Sequence, residues 1–164
     1  MATIRVFDKT DYPAVREIYQ QGIDSGDATF ETRVKSWDEW DDSTAVAGRL
    51  VATDGAQVVG WACLSEVTSR CVYQGVAETS VYVNPEFQGR GIGRSLLQAL
   101  IESSEEAAYW TLQARIFTEN VPSIVLHEKL GFVPMGVHIK LGKHKGVWRD
   151  VQLLERRSAV VGMD

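Results

Sequence analysis

Apolar and polar residues alternate from Thr3 to Phe7, the period of a half-buried first strand. The pattern then changes. Thr10 or Asp11 is a candidate N-cap, Pro13 falls in the first turn, and Val15, Ile18, Tyr19 and Ile23 form a helical stripe. The run Asp24-Ser25-Gly26-Asp27 breaks it, and Ala28 to Thr32 follow as a loop or short extended piece. Ser36 with Glu39 three residues on reads as a capping box for a second helix, with Trp37 and Trp40 on one face. Leu50 to Thr53 and Gln57 to Leu64 flank Asp54-Gly55, a hairpin signal. Val76 to Val83 is a further strand, stopped by Asn84-Pro85. Leu96, Leu97, Leu100 and Ile101 mark a long amphipathic helix, and Trp110 to Phe117 the next strand. Pro122 opens a helix that stops at Gly131. Val133 to Leu141 and Val147 to Leu154 predict a closing antiparallel pair.

The resulting order is β-α-α-β-β-β-α-β-α-β-β. It predicts an α/β fold: a mixed, mostly antiparallel sheet with helices on both faces and one parallel crossover. A chain of 164 residues with 45% apolar and 24% charged positions fits one domain, residues 1–157, followed by a frayed tail, 158–164. The formal charge of −5 disfavours a nucleic-acid partner. The densest basic stretch, Lys140 to Lys145, reads first as a solvated turn and second as a phosphate site. Cys63 and Cys71 have no metal-site or redox spacing, so buried free thiols are expected and no metal. No membrane span or signal peptide is evident, which leads to an expectation of a cytoplasmic protein.

The most informative stretch is Gln88-Gly89-Arg90-Gly91-Ile92-Gly93-Arg94-Ser95. A strand ends, a glycine turn follows and a helix begins. Such a helix start offers free backbone N–H groups and the positive end of a dipole, and Gly91 and Gly93 let a phosphate come close. Arg90 and Arg94 add charge. A nucleotide triphosphatase loop would end Gly-Lys-Ser/Thr, whereas this one ends Gly-Arg-Ser. A dinucleotide fold would need a third glycine where Arg94 stands. A glycine turn that only packs tightly stays open as an alternative.

Gln88-x-x-Gly91-x-Gly93 resembles the Gln/Arg-x-x-Gly-x-Gly/Ala signature of the GCN5-related N-acetyltransferases (GNAT). The segment Glu78 to Val83, the run Asn120-x-x-Ser123-x-x-Leu126-His127-x-x-Leu130-Gly131-Phe132, and Gly146-x-Trp148-x-Asp150-Val151 are similar to the phosphinothricin and methionine sulfoximine acetyltransferase subfamily. Ala28 to Thr32 and Trp40 fit the same pattern.

The resemblance implies a GNAT fold whose sheet splays at the cofactor strand, with acetyl-CoA in the gap. The backbone of Val81, Tyr82 and Val83 would pair with the pantetheine arm, and Gln88, Gly89, Arg90, Gly91, Ile92, Gly93 and Arg94 would hold the pyrophosphate. Asn120 would reach the pantetheine or sulfur end, with Ser123 assisting; alternatively Asn120 only caps a helix. Tyr82 could instead point into the core. Glu78 is the candidate base or ammonium positioner, its alternative a solvated strand-edge carboxylate. His127 stands where many relatives carry a tyrosine acid; the alternative is a satisfied core histidine. The backbone N–H of Val81 would polarise the carbonyl. Phe30, Glu31 and Thr32 would lie over the acceptor, and Arg70 with Tyr73 would contact it, although Gln74 and Val76 stand where the subfamily often has an arginine and a threonine. Trp37, Trp40, Trp61 and Trp110 are expected in the core; Trp148 and Asp150 are structural or belong to a dimer interface. The implied activity is acetylation of the amino group of a small amino-acid-like acceptor by a homodimer, with no nucleic-acid or membrane partner. A polyamine, antibiotic or protein N-terminus as acceptor, a non-catalytic acyl-CoA-binding module, and an NAD-binding fold are the alternatives.

Overall fold

The computed structural model describes residues 1–164. Its strands are β1 (Thr3–Val6), β2 (Leu50–Asp54), β3 (Gln57–Glu66), β4 (Val76–Val83), β5 (Thr111–Phe117), β6 (Val133–His144) and β7 (Val147–Arg157). Its helices are α1 (Tyr12–Ser25), α2 (Trp37–Ser43), α3 (Ile92–Glu106) and α4 (Val121–Lys129), in the order that the sequence pattern predicts. One sheet holds all seven strands, ordered β1-β2-β3-β4-β5-β7-β6. Every neighbouring pair is antiparallel except β4 and β5, which α3 joins by the expected crossover.

Strand alternation sends side chains into two cores. On one face, Ala62 and Leu64 of β3 meet the α3 stripe of Ile92, Leu96, Leu97 and Leu100. On the other, Trp61 and Cys63 meet Val15, Ile18 and Tyr19 of α1 and Trp40 of α2. Both faces are therefore covered, and the site lies where the two layers meet the break in the sheet. No helix is long and apolar enough to cross a membrane.

Several local details differ from expectation. The capping box at Ser36 and Glu39 is present, but the first helical segment is entered differently. Asp8 caps a short 3-10 turn before α1, and Asp11 holds the N-cap position of α1 as expected, but its carboxylate accepts from both Arg5 nitrogens, each at 2.8 Å, and from the Asp8 N–H rather than from the helix. The first hairpin turns at Gly55-Ala56, one residue on, with Asp54 paired to Gln57. Cys63 is buried, which pushes its thiol up to about 12, whereas Cys71 is exposed on the turn before β4. The tail is tied down rather than frayed. Ser158 is buried, its hydroxyl donates to Glu105 at 2.9 Å, and Arg157 donates to the Val161 and Gly162 carbonyls.

Candidate active site

β4 and β5 pair at only three positions, Val76 with Thr111, Ala77 with Leu112 and Glu78 with Gln113. Beyond Glu78 the two strands part. β3 holds β4 along its whole length, from Ala77 opposite Glu66 to Val83 opposite Gly60. The other edge of β4, from Thr79 to Val83, thus has no ladder partner on β5, so its backbone can accept an extended ligand as an added strand would. Thr79 marks the fork: its hydroxyl donates to the Gln113 carbonyl at 3.4 Å.

The far end of β4 runs into the glycine loop. Asn84 is buried and caps the turn Pro85–Phe87 by accepting from the Glu86 N–H at 3.0 Å. Gly89 and Gly91 then take φ of 76° and 79°, values that a side chain resists. Gly91 is the N-cap of α3 and supplies no side-chain cap, so the first N–H groups of the helix stay available. Ile92 is buried and anchors the turn. Gln88, Arg90 and Arg94 are exposed beside it, Arg90 over the Phe87 ring at 4.8 Å. Gly93 is helical and close to Leu126 of α4 and Val83, so its small size serves packing as well. The arrangement suits an anion of the size of a diphosphate.

Between the fork and the loop after α1 lies a cavity of about 430 Å³. Glu78 lines it. Burial pushes its carboxyl above the usual range, while Arg115 at 3.3 Å opposes that rise. His127, from α4, is buried across the fork. Its Nδ1 lies 2.7 Å from the Ser123 carbonyl. A carbonyl only accepts, so Nδ1 carries the proton and Nε2 the lone pair, 3.5 Å from the Thr79 hydroxyl. Burial also holds the imidazole below its ordinary pKa, so the ring is neutral at pH 7. Neutral His127 can accept at Nε2 but has no proton there to donate.

Asn120 and Ser123 line the same cavity, as do Val81 and Tyr82. Asn120 stands at the N-cap position of α4, but its side chain caps nothing there: the carboxamide donates to the Asp27 carbonyl at 3.2 Å. The Tyr82 ring lies in the aromatic layer, stacked on Trp61 at 4.7 Å and Tyr19 at 5.2 Å, so this strand offers the gap its backbone rather than its phenol. Trp40 and Trp61 are core residues as expected, yet both also line the cavity, and their indole N–H groups have no partner.

On the acceptor side, Phe30 and Glu31 line the cavity and Thr32 does not. Phe30 stands edge-on to Phe117 at 4.6 Å. Arg70 and Tyr73 sit on the exposed turn before β4, Arg70 over the Tyr73 ring at 5.5 Å, and neither lines the cavity. Three side chains that the sequence did not flag belong here. Arg115 and Lys35 line the cavity. Arg149 clasps the loop after α1, donating to the Gly26 carbonyl at 3.0 Å and to Asp27 at 2.7 Å, and also reaches Glu119. The positions that meet there are 122 residues apart, and no local pattern announces them.

Known proteins share this architecture. The sequence model of the Acetyltransferase (GNAT) family matches residues 12–132. An L-methionine sulfoximine/L-methionine sulfone acetyltransferase of Salmonella typhimurium is 32% identical over 158 residues, spanning 93% of this chain and 92% of the relative. A GNAT superfamily phosphinothricin acetyltransferase from Sinorhizobium meliloti, solved in complex with AcCoA, superposes with a TM-score of 0.88 at 28% identity, covering 99% of this chain and 91% of the other. A ribosomal-protein-alanine N-acetyltransferase from Brucella melitensis superposes with a TM-score of 0.87 at 30% identity, covering 95% and 99%.

Proposed function

From the premise that this chain belongs to the GNAT acetyltransferase family, we propose that it is an acetyl-CoA-dependent enzyme acetylating the amino group of a small amino-acid-like acceptor. Phosphinothricin, methionine sulfoximine and methionine sulfone are the acceptors that the relatives suggest. One observation carries the reading: a single cavity joins the unpaired edge of β4 to the loop bearing Phe30 and Glu31, with Glu78 on its wall.

In this reading the pantetheine arm lies along Val81 to Val83 and the pyrophosphate sits on the backbone from Gly89 to Arg94. Glu78, with its raised pKa, takes the ammonium proton directly or through a water. The freed amine attacks the thioester carbon, a C–N bond forms as the C–S bond breaks, and the nitrogen's surplus proton passes to the departing sulfur, leaving the amide and the free thiol. The Val81 N–H stabilises the carbonyl oxygen as charge develops. His127, neutral with its proton on Nδ1, offers Nε2 as an acceptor near the sulfur end.

The quaternary reading is a homodimer in the cytoplasm, each subunit one domain. β6 is an edge strand, and Val133, Met135, Val137, Ile139 and Leu141 along its length are all exposed, Ile139 by 67%. Such an apolar row on an edge strand calls for cover. A dimer in sedimentation that Ile139→Glu converts to a monomer supports this; a wild-type monomer removes it.

The acceptor is tested by thiol release from acetyl-CoA over a panel holding methionine sulfone, phosphinothricin, a polyamine and a peptide with N-terminal alanine. Turnover of methionine sulfone is expected. Turnover of the polyamine or the peptide alone overturns the acceptor assignment and leaves the donor intact.

A further inference from the structure

The charged side chains that line the cavity are Glu31, Lys35, Glu78 and Arg115. Arg115 is held by less than Arg33, Arg49 or Arg149. Arg33 grips Glu39 with two nitrogens at 2.8 and 3.0 Å, and Arg49 reaches Asp41 at 2.6 Å and three carbonyls besides. Arg149 has three partners. Arg115 has a single contact, one nitrogen 3.3 Å from Glu78 Oε2, and its side chain is 37% exposed. An ion pair so exposed and one-pointed holds weakly. The remaining guanidinium N–H donors face no protein acceptor.

Its position follows from the break in the sheet. Glu78 is the last β4 residue in the ladder, opposite Gln113. Arg115 is two residues further along β5, on the same face as Gln113 and the first on that face past the ladder. The fork thus sets a carboxylate and a guanidinium side by side at the mouth of the gap.

We propose that Arg115 binds the carboxylate of the acceptor and selects amino acids over simple amines. This rests on the amino-acid acceptor read above. Binding is an exchange of ion pairs. The acceptor's ammonium replaces Arg115 at Glu78, and the acceptor's carboxylate replaces Glu78 at Arg115. Charge is conserved and each charged group keeps a partner. The planar guanidinium can take a carboxylate with two parallel N–H bonds, more than Glu78 receives from it in the free enzyme. An amine without a carboxylate would claim Glu78 but leave Arg115 unpaired beside it, repelling the ammonium.

The experiment compares methionine sulfone with its decarboxylated counterpart, 3-(methylsulfonyl)propylamine, in the wild type and in Arg115→Gln, Arg115→Lys and Arg115→Glu. The ratio of kcat/KM for the two acceptors is read, with the KM for acetyl-CoA as a check on folding. Arg115→Gln should lower the ratio by about ten- to a hundredfold, the value of a charged hydrogen-bonded contact. Arg115→Lys should restore part of it, since lysine keeps the charge and loses the fork. Arg115→Glu should invert the preference. A residue that merely tunes Glu78 would change both acceptors alike, and an unchanged ratio overturns the proposal while leaving the amino-acid acceptor standing. Absence of wild-type turnover on every amino-acid analogue removes that reading and this inference with it.

Discussion

The Asn120 carboxamide donates to the Asp27 carbonyl at 3.2 Å, which ties the start of α4 to the loop that carries Phe30 and Glu31. The same loop is held from β7 by Arg149. Asn120 therefore stands between the donor side of the cavity and the acceptor side. Replacing it with Ala should raise the KM of both substrates, each by up to about tenfold, the value of one neutral hydrogen bond. Steady-state kinetics with each substrate varied in turn checks this. A rise for acetyl-CoA alone would mean that the contact with Asp27 has no part in binding the acceptor.

Glu78 makes opposite demands on activity and stability. Its folded pKa is raised, chiefly by burial, so proton release comes at higher pH than the ordinary value near 4.5. A raised acid favours the folded state below the unfolded pKa, and that contribution is lost as pH rises through the folded value. Glu78→Gln should thus melt higher than wild type at pH 8, with the gain vanishing near pH 4, while kcat falls by about 10²–10⁴-fold. Arg115 lowers the pKa of Glu78, so Arg115→Gln should move the acidic limb of kcat/KM to higher pH. Melting curves and pH–rate profiles on the same samples decide it. A Glu78→Gln enzyme at full rate would take this residue out of the chemistry.

His127 carries the opposite sign. Burial lowers its pKa below 6.5. The neutral ring supports the fold above that value, and the support is lost as pH falls through the folded pKa. His127→Gln should flatten the loss of melting temperature below pH 6.5. An identical slope in the variant would mean that the ring titrates freely.

Gly91 combines a left-handed φ of 79° with open space where a Cβ would stand. Gly91→Ala should therefore cost only about 1 kcal/mol of stability, from the backbone conformation alone. Its larger effect should be on the KM for acetyl-CoA, which rises as the new methyl group keeps the diphosphate from the helix start. Urea unfolding and kinetics separate the two; an unchanged KM would move the pyrophosphate elsewhere.

The order of strands and helices was legible because each rests on local signals: Ser36 with Glu39, Asp54-Gly55, Asn84-Pro85 and the stripe Leu96-Leu97-Leu100. The glycine loop was legible for the same reason. What escaped depends on pairing between distant segments. Asp11 is the N-cap of α1 by position, yet its carboxylate is taken by Arg5, which no local pattern announces. The exposure of Cys71 follows from its turn, and the order of the tail from an arginine that folds back on it. Arg115 reads as one outward residue of an alternating strand; only the end of the β4–β5 ladder at Glu78 sets it beside a carboxylate.

The two indoles on the cavity wall have an optical consequence. Trp40 and Trp61 sit in dry surroundings with their ring nitrogens unengaged, whereas Trp148 faces solvent. Their emission should lie to the blue of that from Trp148. The light the chain emits should therefore carry a built-in label for the cavity, shifting when a substrate settles beside these rings, with no dye attached.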